Sequence, residues 1–169
     1  MSDLHEIAKR KIAAEREKLV AALPQSIEAA KRRQAARGGL QSGNTAAMLR
    51  DLCIEPMTAL GVHINQEYKW AASTALFLTQ SFARSLADSA PAEMQPLSDF
   101  CTAQLSSQLQ SLNMANLRQE LMQTLHSKQS EILNDVRIEL DRSFAERRRG
   151  VVRNLVMGIG NLLSKVGGK

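Results

Sequence analysis

From Pro96 to Gly150 the chain reads PLSDFCTAQLSSQLQSLNMANLRQELMQTLHSKQSEILNDVRIELDRSFAERRRG, with no Pro or Gly in between. Apolar side chains recur in it every three or four positions, which is the period of a helix with one buried stripe. The stripe consists of Leu97, Cys101, Leu105, Leu109, Leu112, Leu117, Leu121, Leu125, Ile132, Val136, Leu140 and Phe144. We therefore predict one very long helix over residues 97–149, and about 50 helical residues reach roughly 75 Å. Such a helix has to fold back on other elements or pair with a second chain, as in a coiled coil.

One irregularity interrupts this stripe. The step from Leu112 to Leu117 is five residues, and the segment between them contains Asn113 and Asn116. This pattern predicts a kink, a π-bulge or a hinge. We expect the half before it to pack on the preceding helix. The half after it would face the N-terminal helices or another copy of the chain.

The composition of the whole chain favours an all-α fold. Helix formers such as Ala, Leu, Gln and Arg dominate, whereas Val and Ile are few outside the tail. Pro56, Gly61, Pro91 and Pro96 are typical helix boundaries. We therefore predict an antiparallel bundle of helices 44–60, 63–88 and 97–148, with 44–149 as the core. Helix 63–88 is apolar on most of its circumference and is the predicted centre of that core.

The N-terminal segment, residues 1–37, is predicted to be a basic helical arm. A first helix from Asp3 would stop at Leu23, before Pro24, and a second would run from 25 to 37. The first helix has a narrow, interrupted apolar stripe, so we expect it on a surface or against a partner, outside the core. Gly38 and Gly39 end the second helix, and residues 38–43 read as a flexible linker.

The net charge of +5 is unevenly distributed. Residues 41–146 carry an acidic excess, whereas both ends are basic, and residues 147–169 carry six Lys or Arg and no acid. Basic ends are typical of contact with an anionic partner or with the acidic middle of another copy, so we expect a homo-oligomer. A basic cluster ends the arm: Lys31, Arg32, Arg33 and Arg37. It is either a solvated helix face or a contact for nucleic acid, acidic lipid or acidic protein.

The tail, residues 150–169, carries the clearest functional pattern. At 100° per residue, its apolar side chains fall on one side of a helix, with Met157 the only large exception, and its polar ones on the other. A basic amphipathic helix of this kind lies in a membrane interface or in a partner's groove, and it is too short to span a bilayer. The alternative is that it packs on its own core. The predicted membrane- or partner-binding residues are Arg147, Arg148, Arg149, Arg153, Leu155, Ile159, Leu162, Leu163 and Lys165.

Catalytic and metal-binding motifs are not found in the sequence, so we predict no enzyme activity, cofactor or small-molecule substrate. The alternative is that the protein is an enzyme whose pocket lies near His63, Tyr68 and Trp70. The row Glu131, Asp135 and Glu139 is predicted to be a solvated acidic face. Cys53 and Cys101 are either two buried thiols or a disulfide.

These patterns together predict a cytoplasmic helical interaction or assembly protein, since the N-terminus has no apolar signal-peptide core. We expect it to dock through its tail on an anionic membrane surface, where it would be peripheral, or on a protein partner. The alternative function is contact with nucleic acid through the basic clusters at both ends.

Overall fold

The structure, a computed structural model, describes the backbone of residues 2–75 and 79–166, and the side chains of residues 3–75, 79–147 and 149. Apart from the turns between the helices, these residues are helical, and none of them forms a strand. The elements are α1 (Ser2–Ala36), α2 (Gly43–Thr74), α3 (Gln80–Ser111), a single 3₁₀ turn (Ala115–Leu117) and α4 (Arg118–Val166). The predicted all-α class is confirmed.

Consecutive helices run antiparallel. Between α1 and α2, Lys11 pairs with Glu67 (2.9 Å) towards one end, and Gln34 contacts Met48 (3.7 Å) at the other. Between α3 and α4, Ser98 donates to Gln129 (2.8 Å), and the chain reverses between these helices. Helices α1 and α4 each pack on both α2 and α3, so the central pair α2–α3 carries the core. The predicted antiparallel helical bundle is therefore confirmed.

The predicted single helix over 97–149 is not formed. The chain turns back after Ser111, where Asn113 adopts φ 56° and the Met114 amide donates to the Leu109 carbonyl at 2.8 Å. Asparagine enters this left-handed conformation more readily than most residues. The five-residue step in the stripe thus marks a reversal, and the two halves of the stripe pack within one chain as parts of α3 and α4.

Helix boundaries predicted at prolines are wrong. All four prolines, Pro24, Pro56, Pro91 and Pro96, lie inside helices. An interior proline costs about 3 kcal/mol of helix stability, which the packing of helices longer than 30 residues offsets here. The predicted helix 63–88 is divided between α2 and α3, and its residues Leu76, Phe77 and Leu78 lie outside the described part of the chain.

The predicted flexible linker 38–43 is a hydrogen-bonded turn. Gly38 adopts φ 69°, a left-handed backbone conformation that glycine reaches without a steric penalty. The hydroxyls of Ser42 and Thr45 both donate to the Gly39 carbonyl at 2.7 Å, and Thr45 is fully buried. Ser42 also accepts from the Thr45 amide as the N-cap of α2.

Helix α1 belongs to the core, so the prediction that this segment stays outside it is wrong. One face of α1 is buried against α2 and α3, with the side chains of Ala8, Ile12, Leu23, Ile27 and Ala30. Arg16 pairs with Glu93 of α3 (3.3 Å), and the Lys11 ammonium lies 4.0 Å from the centre of the Trp70 ring. These contacts show why a narrow apolar stripe is enough: long charged side chains cover the rest of the contact surface.

Gly61, a predicted helix end, lies in the middle of α2 and faces α4. A Cβ at this position would collide with the Ile132 Cγ2 methyl group and would touch Val136 at 3.7 Å. The absence of a side chain therefore lets α2 and α4 approach closely.

Candidate interaction surfaces

The basic cluster at the end of α1 is only partly free. Lys31 donates to Glu28 (2.9 Å) and to Gln108 on α3 (3.0 Å), so it fastens α1 to the bundle. Arg32, Arg33 and Arg37 are exposed, and among the described residues no acidic side chain pairs with them. The predicted anionic-partner contact thus retains three guanidinium groups, while the fourth residue has a structural role.

The arginine run at the end of the bundle is also divided. Arg147 is half-buried, and its Nη2 donates at 2.8 Å to the carbonyl of Ala75, the C-cap of α2. A cation at a helix C-terminus stabilises the unpaired carbonyl groups there. Arg147 therefore anchors α4 to the end of α2. Arg149 is exposed, and the side chain of Arg148 lies outside the described residues.

These two basic clusters lie at opposite ends of the bundle. Gln34, near the end of α1, contacts Met48 in the first turns of α2, whereas Arg147 contacts the last residues of α2. The α4 segment from Arg118 to Arg147 alone measures about 43 Å at 1.5 Å per residue. The clusters do not form one continuous surface, so a nucleic acid that used both of them would contact two distant sites.

The tail continues α4. The helix runs without a break from Arg118 to Val166. The side chains of the remaining predicted docking residues, Arg153, Leu155, Ile159, Leu162, Leu163 and Lys165, lie outside the described residues. Their amphipathic arrangement remains a prediction from the sequence.

The acidic row of α4 is largely neutralised by its own neighbours. Glu131 pairs with Lys128 (2.6 Å), and Glu139 pairs with Lys69 of α2 (3.0 Å) and with Arg142 (2.9 Å). The bond from Lys69 is the main reason that the pKa of Glu139 is lowered. Glu139 therefore contributes to the contact between α2 and α4, whereas Glu131 and Asp135 are exposed, as predicted for a solvated face.

A partly buried polar network joins α1, α2 and α3 near Tyr68. The Tyr68 hydroxyl and the His5 Nε2 lie 2.8 and 3.0 Å from the Ser89 Oγ, which itself donates to the Leu86 carbonyl at 2.9 Å. With its proton used in this way, Ser89 accepts from both neighbours. Burial raises the pKa of Tyr68 to about 12 and is the largest cause of the lowered pKa of His5.

Two of the three residues that an enzyme pocket would need take part in other contacts. Tyr68 is fully buried in the network just described, and Trp70 lies under Lys11. His63 is half-buried, with its Nε2 unpartnered. Sequence spacing did not predict the His5–Ser89–Tyr68 network, because its members come from three helices that only the fold brings together.

Cys53 and Cys101 are free, fully buried thiols on α2 and α3. The Cys53 Sγ donates to the Cys101 carbonyl oxygen at 3.6 Å. A hydrogen bond with Cys53, followed by burial, raises the pKa of the Cys101 thiol well above its ordinary value. Of the two alternatives from the sequence, the structure contains the pair of buried thiols.

Two grooves on the bundle surface were not predicted. One, of about 340 Å³, lies between the start of α3 and α4. The other, of about 220 Å³, lies between α1 and α2 and is lined by Leu19, Leu23, Leu52 and Pro56, among others. In the first groove, the sequence signal is an Arg-x-x-x-Asp repeat on facing helices, at Arg84–Asp88 and Arg137–Asp141.

Comparison with known protein families, curated proteins and solved structures found no match to this chain. No helix in the described residues contains a segment long and apolar enough to cross a membrane. The function is therefore argued from the surfaces above.

Proposed function

We propose that the protein is a non-enzymatic interaction protein that docks on an anionic membrane surface through its C-terminal amphipathic segment, residues 150–169. The setting that we propose is the cytoplasmic side of a membrane, where anionic lipids attract basic segments. A groove on a protein partner is the alternative docking site for the same segment.

The observation that carries this proposal is the continuity of α4. This helix packs on α2 and α3, is fastened by the bond from Arg147 to Ala75, and continues to Val166. From Arg147 onward the sequence carries no acidic residue, and its apolar side chains, apart from Met157, share one side of a helix. A bundle that holds the base of such a helix would present it to a surface.

Co-sedimentation with vesicles tests the proposal. The full chain should pellet with phosphatidylserine-containing vesicles more than with neutral phosphatidylcholine vesicles, and less at high salt. A truncation to residues 1–149 should lose this binding but keep the bundle, since every buried residue of the described core precedes its end.

A matched pair of variants separates the apolar face from the rest of the tail. Leu155→Ser with Ile159→Ser should weaken vesicle binding by at least about tenfold, because insertion depends on buried apolar area. Asn154→Ser with Asn161→Ser, on the polar side, should leave it unchanged. Equal binding by the full chain and by the truncation would contradict the proposal.

Nucleic-acid contact is the second candidate function, and the exposed Arg32, Arg33 and Arg37 support it. The relevant test is salt-dependent retention of DNA or RNA by the full chain and by an Arg32→Ala, Arg37→Ala variant. Loss of retention in this variant, with vesicle binding absent, would favour the second candidate.

A further inference from the structure

The groove between α3 and α4 has an apolar floor and a charged rim. Ala83, Ala87 and Phe144, which are buried or half-buried, form the floor. Arg84, Asp88, Arg137 and Asp141 form the rim, and all four are exposed. None of these four forms an ion pair with a described residue, although both signs of charge are present.

The signs of the four rim charges alternate both along each helix and across the groove. Helices α3 and α4 are antiparallel, and Ser98 bonds Gln129 across them. In this register Arg84 lies near the level of Asp141, and Asp88 near the level of Arg137. Each helix thus places an arginine and an aspartate one turn apart, and each charge faces the opposite sign across the groove.

This arrangement is self-complementary. Two copies can face each other about a two-fold axis that lies in the plane of the rim. This axis can run parallel or perpendicular to the groove, and in both cases every arginine lies opposite an aspartate of the other copy. A partner of single charge, such as a phosphorylated or a basic peptide, would meet two like charges on the same rim. The rim therefore fits a second copy of this chain better than a uniformly charged partner.

An apolar side chain lies next to the rim. Ile138 is 48% exposed on α4, one turn before Asp141. A large exposed apolar residue beside a groove with an apolar floor is typical of a contact surface. It gives the interface apolar area, while the alternating charges would fix its orientation.

We propose that this groove face is the contact surface of a homodimer, in which Arg84 and Arg137 of each copy pair with Asp88 and Asp141 of the other. The proposal goes beyond docking of the tail, because none of its residues belongs to the tail. The dimer is of the weak, concentration-dependent kind, since exposed ion pairs are screened by salt.

Sedimentation equilibrium of the full chain, over a wide range of concentration, tests the proposal. The wild-type chain should reach the dimer mass at high concentration and low salt. Arg84→Asp with Arg137→Asp makes the rim uniformly acidic, and Asp88→Arg with Asp141→Arg makes it uniformly basic. Each variant alone should dimerise at least about tenfold more weakly, because like charges then face each other.

Mixing the two variants provides the decisive measurement. An equimolar mixture should regain the dimer mass, since acidic and basic rims are complementary. The control for the acidic variant, Arg10→Asp with Arg118→Asp, makes the same change in net charge on exposed residues of α1 and α4 away from the groove and should dimerise like the wild type. A monomeric wild-type chain at every concentration, or a mixture that stays monomeric, would overturn the proposal.

Discussion

At the scale of single residues, Gly61 shows how a position interpreted as a helix end acts as a contact point. A β-carbon there would collide with Ile132 of α4. Sequence spacing identified the glycine but not its role, because a glycine that ends a helix and one that admits a neighbour look alike in one sequence.

We predict that Gly61→Ala destabilises the protein. The overpacking costs about 1–3 kcal/mol, and the better helix propensity of alanine returns roughly 0.5–1 kcal/mol. Urea denaturation should show a lower midpoint with an unchanged slope. Gly43→Ala is the control, because a Cβ at Gly43 meets no atom within 4 Å. An unchanged midpoint for Gly61→Ala would contradict the described approach of α2 and α4.

Tyr68 gives a second prediction, because it is the chain's single tyrosine. Burial raises its pKa from 10.0 to about 12. The unfolded chain loses this proton first, so the stability that Tyr68 contributes is complete below pH 10.0 and is lost as the pH rises towards 12. In a titration to high pH, the ultraviolet absorbance of tyrosinate should therefore appear about two pH units higher in the native protein than in denaturant. The same midpoint in both would show that Tyr68 is solvated.

Arg147 shows what a run of arginines in a sequence does not predict. The sequence placed it with the docking residues, and the structure uses it to cap α2 through the Ala75 carbonyl. A run of arginines predicts the sign of the local field well. It does not show which guanidinium lies against the bundle, because that depends on the rotation of α4 about its own axis.

At the scale of the helix, apolar periodicity predicted where helix is formed, whereas the prolines did not predict where it ends. Every proline lies inside a helix. The turns fall at Gly38, where the sequence predicted a helix end, and also between α2 and α3 and at Asn113. Propensity is a local preference, and packing along helices of this length outweighs it.

The turn at Asn113 gives a prediction at this scale. Its positive φ of 56° is costly for a β-branched residue. Asn113→Val should destabilise the protein by roughly 1–2 kcal/mol, whereas Asn113→Gly should be neutral or better. Thermal unfolding followed by circular dichroism measures both. Asn116→Val is the control, because the neighbouring Asn116 does not have a positive φ. Equal effects of the two valine variants would contradict the assigned turn.

At the scale of the whole molecule, the two cysteines report on the cohesion of the bundle. Both thiols are fully buried between α2 and α3. A thiol reagent such as dithionitrobenzoate should titrate neither in the native protein and both in denaturant, since reaction requires opening of the bundle. Cys53→Ser and Cys101→Ser should each leave one reactive thiol in denaturant. Rapid reaction in the native state would show that the central helix pair opens readily.

The fold class and the antiparallel packing were predictable from composition and from the 3.6-residue period. The role of α1 was not, because its apolar stripe is narrow and long charged side chains such as Lys11 and Arg16 complete its contact with the bundle. The separation of the two basic clusters was not predictable either. It depends on the direction of each helix, and the sequence predicted only a kink, a π-bulge or a hinge at the point where the chain reverses near Asn113.

Two of the interior prolines carry a mechanical consequence. Pro24 lies next to Leu23, which lines one groove together with Pro56 of α2, so both helices lack a backbone N–H donor at nearly the same height. The carbonyl groups of Val20 and Leu52, four residues earlier, lose their usual intrahelical amide partners there. We therefore expect helices α1 and α2 to bend most easily at the level of Pro24 and Pro56. Backbone amides near this level should exchange their hydrogens with water faster than those at the level of Tyr68.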